Sequence, residues 1–375
     1  MKDIKQLTSF TPLIIENILM KTPSIYYIMW RFTKGGVELS INHYINHFWR
    51  QYDLNAYSLR TADQKIYDDQ KIKTTAGKEN NWKVYFDYFA YCRKNKEGLF
   101  HLLNGGPIIL ILTILAGVKN PIYHIRGTIY WDNNFQEMYL KAAWLLVRLL
   151  HSFRKVVFIA NSQHSADIFR KKVLAVNPLV IYNGIAVAPF IAKRYQRTVL
   201  HRIGYAGRLH DGKNVELVIQ LFETIAGEYP DMELHLAGDG PLHQSLRNQI
   251  DKSRYADRIF MHGFVDDMPS FYASLDLLLF LSAYESFGNV LAEALLTGLP
   301  TLTSDIPVFN EIYGGENDFT LGNPSYYETL HKRFIEAVAT FPQLADKAMR
   351  VSYQVEKKFN IDQHLAQFEK IYANH

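Results

Sequence analysis

Two stretches of the chain hold residues whose types and spacing suit chemistry on a charged, hydroxyl-rich ligand. In SAYESFGNVLAEALLTGLPTLTSD, residues 282–305, the pattern predicts a strand end, a Ser286-Phe287-Gly288 turn and a helix to about Thr297, stopped by Gly298 and Pro300. Such a turn leaves the first helical N–H groups, near Phe287, Gly288 and Asn289, unpaired and directed into a crevice, where they suit an anionic phosphate. Glu285 precedes this helix and Glu293 lies eight positions later. At about 1.5 Å rise per residue the pair would bracket a ligand about 10 Å long, one carboxylate on sugar hydroxyls and the other on a ribose. Two glutamates at this spacing are by themselves ordinary solvated helix charges. Glu293, however, is followed by Ala294-Leu295-Leu296 on a helix written for burial. A buried carboxylate requires a partner.

The second stretch, IGYAGRLHDGKNVELVIQLF at 203–222, places Gly207, Gly212, Lys213 and Asn214 between a strand and a helix and nearly spells a Walker A loop. A P-loop needs Ser or Thr after its lysine to ligate magnesium, and Asn214 is a poor substitute. A P-loop-like nucleotide-binding protein is therefore a minor alternative. The better reading uses Arg208 at the strand end and Lys213 in the same loop as two cations aimed at a diphosphate. Each contact at about 4 Å is worth roughly 4 kcal/mol at an effective dielectric of about 20. That contribution matters most when negative charge grows on a leaving group.

The elements that must position these residues are short apolar strands alternating with amphipathic helices, the pattern of parallel-sheet α/β folds. Strands are predicted at 24–30, 121–127, 155–162, 180–184, 201–208, 232–240, 258–265, 276–285 and 300–304. Helices are predicted at 37–52, 215–230, 241–252 and 361–372, with helical pattern from about Ser325 onward. The basic, aperiodic stretch 186–199 reads as a crossing between two domains. The apolar run from Pro107 to Val118 is shorter than the roughly 20 residues of a bilayer-spanning helix and reads as a buried helix capped by Gly117.

Taken together, these residues resemble the GT-B-fold, nucleotide-sugar-dependent, retaining glycosyltransferases of family 4, or glycosyl transferases group 1. The resemblance rests on Gly207-Arg208 with Lys213, on Glu285 and Glu293 with Ser286-Phe287-Gly288 between them, on GLP at 298–300, on Gly35-Gly36-Val37-Glu38 and on YNG at 182–184. It implies two Rossmann-like domains facing across a cleft: an acceptor-side domain at 1–190, a nucleotide-sugar domain at 191–355, and a C-terminal helix at 356–375 packing back on the first. It also implies roles. Arg208 and Lys213 would hold the donor diphosphate, Glu285 the transferred sugar and Glu293 the nucleotide ribose. The Gly35-Gly36 loop would close on the donor, glycine letting backbone approach phosphate. The nucleobase would lie near 262–265, read by backbone around Gly263 and Phe264. Many members carry a His directly before the glycine of the first domain's strand end. Here Arg126 stands there, with His124 two residues earlier on the same strand face, so both reach the cleft in principle. Arg126 is read as a cation near donor sugar or acceptor, or as a structural salt bridge. The donor would be a UDP- or GDP-sugar and the acceptor a glycan or lipid-linked hydroxyl in surface polysaccharide or lipopolysaccharide assembly. The alternative within this reading is a catalytically idle, sugar-nucleotide-binding partner subunit.

Composition excludes other classes. Of 375 residues 48% are apolar and 21% charged, ordinary for a globular protein and unlike a disordered or multispanning chain. Residues 1–197 carry 27 Lys/Arg against 13 Asp/Glu, while 198–375 carry 14 against 24, a split of +14 and −10. The basic half would meet an anionic polymer or membrane. Nucleic acid is disfavoured, because Trp82, Tyr85, Tyr88 and Tyr91 recur at helical spacing and read as the core face of a helix. An anionic membrane surface remains as partner, placing the protein in the cytoplasm or on the inner face of the cell membrane. The single Cys92 fits a reducing compartment. None of the 20 Asp lies two positions from another, and His43 and His47 lack a third ligand and read as helix-face residues. No metal or other cofactor is expected. The opening segment, interrupted by Asp3, Lys5 and Glu16, reads as a surface or core helix rather than a secretory signal.

Overall fold

The computed structural model describes residues 23–30, 36–60, 70–77, 82–103, 105–127, 134–316 and 318–374. The opening segment 1–22 lies outside them. Two sheets organise the chain. The first has the order β3-β2-β1-β4-β5-β6-β7, from β1 (Ser24–Met29), β2 (Asp53–Ser58), β3 (Lys73–Ala76), β4 (Leu99–Leu103), β5 (Ile122–Ile125), β6 (Val157–Ala160) and β7 (Leu179–Val180). The second has the order β10-β9-β8-β11-β12-β13, from β8 (Arg202–Ala206), β9 (Glu233–Ala237), β10 (Ile259–Gly263), β11 (Leu277–Phe280), β12 (Thr301–Ser304) and β13 (Thr320–Gly322). Pairing is parallel along β10-β9-β8-β11-β12-β13 and from β3 to β5. By packing, the residues divide into two compact units, one within 1–124 and 135–157, the other within 125–134 and 158–374.

In the first unit β1 buries Ile25, Tyr27 and Ile28, and the helix Gly106–Leu115 buries Ile109, Leu110 and Ile114. Its end is fixed by Gly117 at φ +91°, as the apolar run predicts. The helix Lys83–Lys94 packs Val84, Tyr88 and Cys92 inward at i, i+4 and i+8. Burial pushes the Cys92 thiol up to about 12, leaving it inert at neutral pH. The predicted aromatic core face holds for Tyr88 but not for Trp82, which sits just before the helix, 66% exposed, with its ring on Phe86. β2, β3 and β4 fall outside the strands read from the sequence. β3, KTTA, is an edge strand without a buried residue.

In the second unit β11, LLLF, is buried at every position, as a central parallel strand flanked on both faces must be. The helix Val215–Ile225 follows β8 and buries Val215, Val218, Ile219, Leu221, Phe222 and Ile225 at helical period. The chain ends in helices Tyr327–Ala339, Phe341–Lys358 and Ile361–Ala373. The last is tied to the segment after β7: the Ile361 N–H donates to the Ile185 carbonyl at 2.9 Å, and His364 Nδ1 meets the Tyr182 carbonyl at 2.6 Å. No described helix is long and apolar enough to cross a membrane.

Candidate active site

In an open parallel sheet the crevice for a ligand forms where strand order reverses, outside the carboxyl ends of the strands. In the second sheet that point lies between β8 and β11, which are hydrogen-bonded neighbours. Gly207-Arg208 follow β8 and Glu285 follows β11, so both chemically suggestive stretches flank the reversal. Close backbone approach here needs glycine. Gly207 and Gly238 have φ of +145° and +136°, and a Cβ on Gly238 would stand 1.8 Å from the Gly207 carbonyl oxygen.

Lys213 ends a short 3-10 turn, Asp211–Lys213, and its Nζ pairs with Glu285 Oε1. The Ser282 hydroxyl donates to the same oxygen at 3.2 Å, and the Phe280 ring lies 5.6 Å from Nζ. Both charged side chains are largely covered. Arg208 is the opposite case: it is exposed, and its guanidinium takes no partner among the described residues. Asn214 has a role of its own. It adopts φ +52° at the start of the Val215–Ile225 helix, and its Nδ2 donates to the Leu281 carbonyl at 2.7 Å.

The helix Asn289–Leu296 begins after Gly288, whose φ of +102° turns the chain out of β11. Among the described residues the N–H groups of Asn289, Val290 and Leu291 donate to nothing, so the helix presents open donors. The Asn289 side chain is engaged, accepting from Asn183 Nδ2 at 2.9 Å. Phe287 offers only backbone to a ligand, because its ring is buried against Phe359 and Tyr182. Ser286 is committed within the fold. Its hydroxyl donates to the Arg126 carbonyl at 2.9 Å and accepts from Asn161, while its carbonyl accepts from Ser162 and Ser165 at 2.6 and 3.0 Å.

Glu293 is half-buried and has a partner: the Tyr272 hydroxyl, from the helix Met268–Ala273, donates to Oε2 at 3.1 Å. Desolvation nevertheless pushes the Glu293 carboxyl up to about 7, outweighing that hydrogen bond. Phe264 follows Gly263 at the end of β10 and is 62% exposed. Arg126 is buried in the same unit. In the first unit, His124 is buried with its Nδ1 3.1 Å from His101 Nε2, and Gly36 opens the helix Gly36–Phe48, with His43 and His47 on it. Gly35 lies outside the described residues. Among the described residues no three His, Cys, Asp or Glu side chains are grouped to hold a metal ion.

Sequence reasoning missed Tyr272, Ser282 and the Asn161-Ser162-Ser165 clasp on Ser286. Only Tyr272 had a signal, the need of Glu293 for a donor.

Comparison with known proteins bears on this arrangement. Residues 197–354 match the family model of glycosyl transferases group 1. The match spans β8 to the helix Phe341–Lys358 and so contains Arg208, Lys213, Glu285 and Glu293. An O-antigen biosynthesis glycosyltransferase, WclY of Escherichia coli, is 23% identical over 319 residues, covering 80% of this chain and 86% of the relative. Among solved structures, Anabaena HepE in complex with UDP-glucose superposes with a TM-score of 0.73 at 17% identity, covering 94% of this chain and 100% of the other. WaaG, a glycosyltransferase involved in lipopolysaccharide biosynthesis, gives 0.70 at 13%, covering 88% and 95%. The fold is GT-B, two parallel-sheet, Rossmann-like domains with helices, and these findings support a group 1 glycosyltransferase.

Proposed function

We propose that the chain transfers a sugar from a nucleoside diphosphate donor to a glycan or lipid-linked acceptor hydroxyl with retention of configuration, in assembly of a surface polysaccharide or lipopolysaccharide. The observation that carries the reading is the group at the β8/β11 reversal: open Arg208, Lys213 paired with Glu285, and the open N–H donors of the Asn289–Leu296 helix. Two cations and a helix N-terminus match a diphosphate and its growing charge as the bond to the sugar breaks. Glu285, released in part from Lys213 when the diphosphate engages that lysine, is free to accept from sugar hydroxyls. Glu293, held by the Tyr272 hydroxyl, offers a carboxylate to the ribose, and Phe264 an exposed ring near the base.

In a same-face mechanism the acceptor hydroxyl attacks from the side the diphosphate leaves. A leaving phosphate oxygen takes its proton, so the protein need supply no general base. Its contribution is positioning and charge stabilisation. No metal is assigned to the step, and transfer is expected to proceed unchanged in EDTA. The relatives involved in O-antigen and lipopolysaccharide synthesis support the pathway, and the complex of HepE with UDP-glucose supports a UDP-sugar. The charge split favours work at the cytoplasmic face of an anionic membrane.

A thermal-shift panel of UDP- and GDP-sugars tests the donor, since a ligand at about 100 times its Kd adds roughly 2.7 kcal/mol to stability. One nucleotide series is expected to shift the melting point and to be slowly hydrolysed without acceptor. Absence of any shift rejects the reading, and a shift without hydrolysis or transfer indicates an idle binding subunit.

A further inference from the structure

The helix Asn134–His151 in the first unit has two apolar faces, and only one is covered. Trp144 and Val147 are buried in the unit. Met138, Leu145 and Leu149 fall within about 40° of one another on the opposite side, at 100° per residue. All three are exposed, and Leu146 and Tyr139 widen the stripe. A helix built for one core carries charge on its outer face. This one carries leucines there, continued past its end by Phe153, which is 85% exposed.

Cations gather at that end. Phe153 and Leu115 border an open groove of about 580 Å³ that is also lined by Arg93, Lys96, Lys119 and Arg154. All four cations are exposed. The acid in the groove, Glu97, lies 4.0 Å from Lys96 and 3.7 Å from Lys119, so the groove keeps a clear positive excess. Exposed Arg148 and Lys155 extend the basic margin. Long flexible aliphatic side chains flanked by Lys and Arg match the boundary between lipid headgroups and acyl chains.

We propose that this surface docks the protein on an anionic bilayer, with Leu145, Leu149 and Phe153 entering the headgroup boundary and Arg93, Lys96, Lys119 and Arg154 holding lipid phosphates. It deepens the reading of a lipid-linked acceptor and rests on that reading for its purpose, though docking itself needs no donor. By contrast, Lys171 and Lys172, a basic pair in the same half of the sequence, belong to the other unit.

The test is co-sedimentation of the intact chain with phosphatidylglycerol/phosphatidylcholine vesicles and with phosphatidylcholine alone. The wild type should partition at least tenfold better to the anionic vesicles. The exposed triple variant Leu145→Ser, Leu149→Ser, Phe153→Ser and the reversal Lys96→Glu, Lys119→Glu, Arg154→Glu should each lose at least tenfold, while keeping the nucleotide-sugar thermal shift that reports an intact fold and donor site. Lys171→Glu with Lys172→Glu should bind as wild type. The proposal is overturned if the wild type shows no anionic preference, if both triple variants bind normally, or if only the Lys171/Lys172 reversal matters. A wild-type dimer that the serine variant dissolves, without vesicle binding, would instead assign the face to a second copy. Vesicle binding as expected with no thermal shift from any nucleotide sugar would reject the donor site and leave the docking surface standing.

Discussion

Glu293 carries a charge conflict that a ribose would resolve. Without ligand its carboxyl titrates near 7, because burial disfavours the anion and one phenol does not compensate. Ribose hydroxyls donate to the charged form, so donor binding should lower this value and release a proton between about pH 6 and 7. Calorimetry of donor binding at pH 6.5 in two buffers of different ionisation enthalpy should show that release in the wild type and not in Glu293→Gln. Buffer-independent heats would remove Glu293 from the ribose site. The same conflict sets a stability trend. A carboxyl raised in the folded state loses stability as pH climbs from its unfolded value, near 4.5, through 7. At pH 8, ligand-free Glu293→Gln should therefore melt at or above wild type while binding donor more weakly. The two cations should also separate. Arg208→Ala removes an exposed, unpartnered charge and should leave the melting point within error while turnover falls by at least about two orders of magnitude. Lys213→Ala strands the largely covered Glu285 carboxylate and should cost about 1–2 kcal/mol of stability besides activity.

The helix Asn289–Leu296 is held at the end opposite its open donors. Arg194 Nε donates to the Leu296 carbonyl at 3.0 Å, and Arg197 donates to the carbonyls of Thr297, Leu275, Tyr195 and Tyr272. Two guanidinium groups at a helix C-terminus satisfy the carbonyls left over there and complement its negative end. Desolvation pulls Arg197 down to about 10, still fully charged at neutral pH. Tyr272 joins the two ends functionally, its carbonyl on Arg197 and its hydroxyl on Glu293. Arg197→Ala orphans four acceptors at about 1–3 kcal/mol each, so a loss of at least about 3 kcal/mol is expected after water relieves some of them. Urea denaturation with unchanged slope should read it, and the surviving folded fraction should show a raised donor KM. A midpoint near wild type would mean that solvent replaces the guanidinium at no cost. What was legible divides along the same line. The β11-turn-helix window could be read because strand, Gly288 and Gly298 are local signals. The stretch 186–199 looked like a featureless basic linker, yet Arg194 and Arg197 are pins whose partners, Tyr195 apart, lie about 75 to 160 residues away. Acceptors that are backbone carbonyls leave no trace in side-chain pattern.

At the scale of the molecule, two opposite charge fields sit on one chain, 27 Lys/Arg against 13 Asp/Glu through residue 197 and 14 against 24 beyond it. The split and the alternating elements were plain in the sequence. The docking face was not, because an exposed leucine and a core leucine are written alike and only tertiary packing tells Leu145 from Val147. The fields make a prediction that distinguishes near from far electrostatics. A diphosphate approaching the donor site meets the net negative charge of residues 198–375 at long range, and Arg208, Lys213 and the helix N–H groups only within a few ångströms. Screening shortens the Debye length from about 30 Å at 0.01 M salt to about 8 Å at 0.15 M, which weakens the distant repulsion far more than the contacts. The association rate of a nucleotide sugar should therefore hold or rise as salt increases over that range, with dissociation little changed. Binding to anionic vesicles, carried by exposed Lys and Arg, should fall steeply over the same range. Stopped-flow fluorescence for the first and sedimentation for the second measure both on one preparation. If the two curves fall together, the donor too is gathered by the basic half, and the division of electrostatic labour between the halves is wrong.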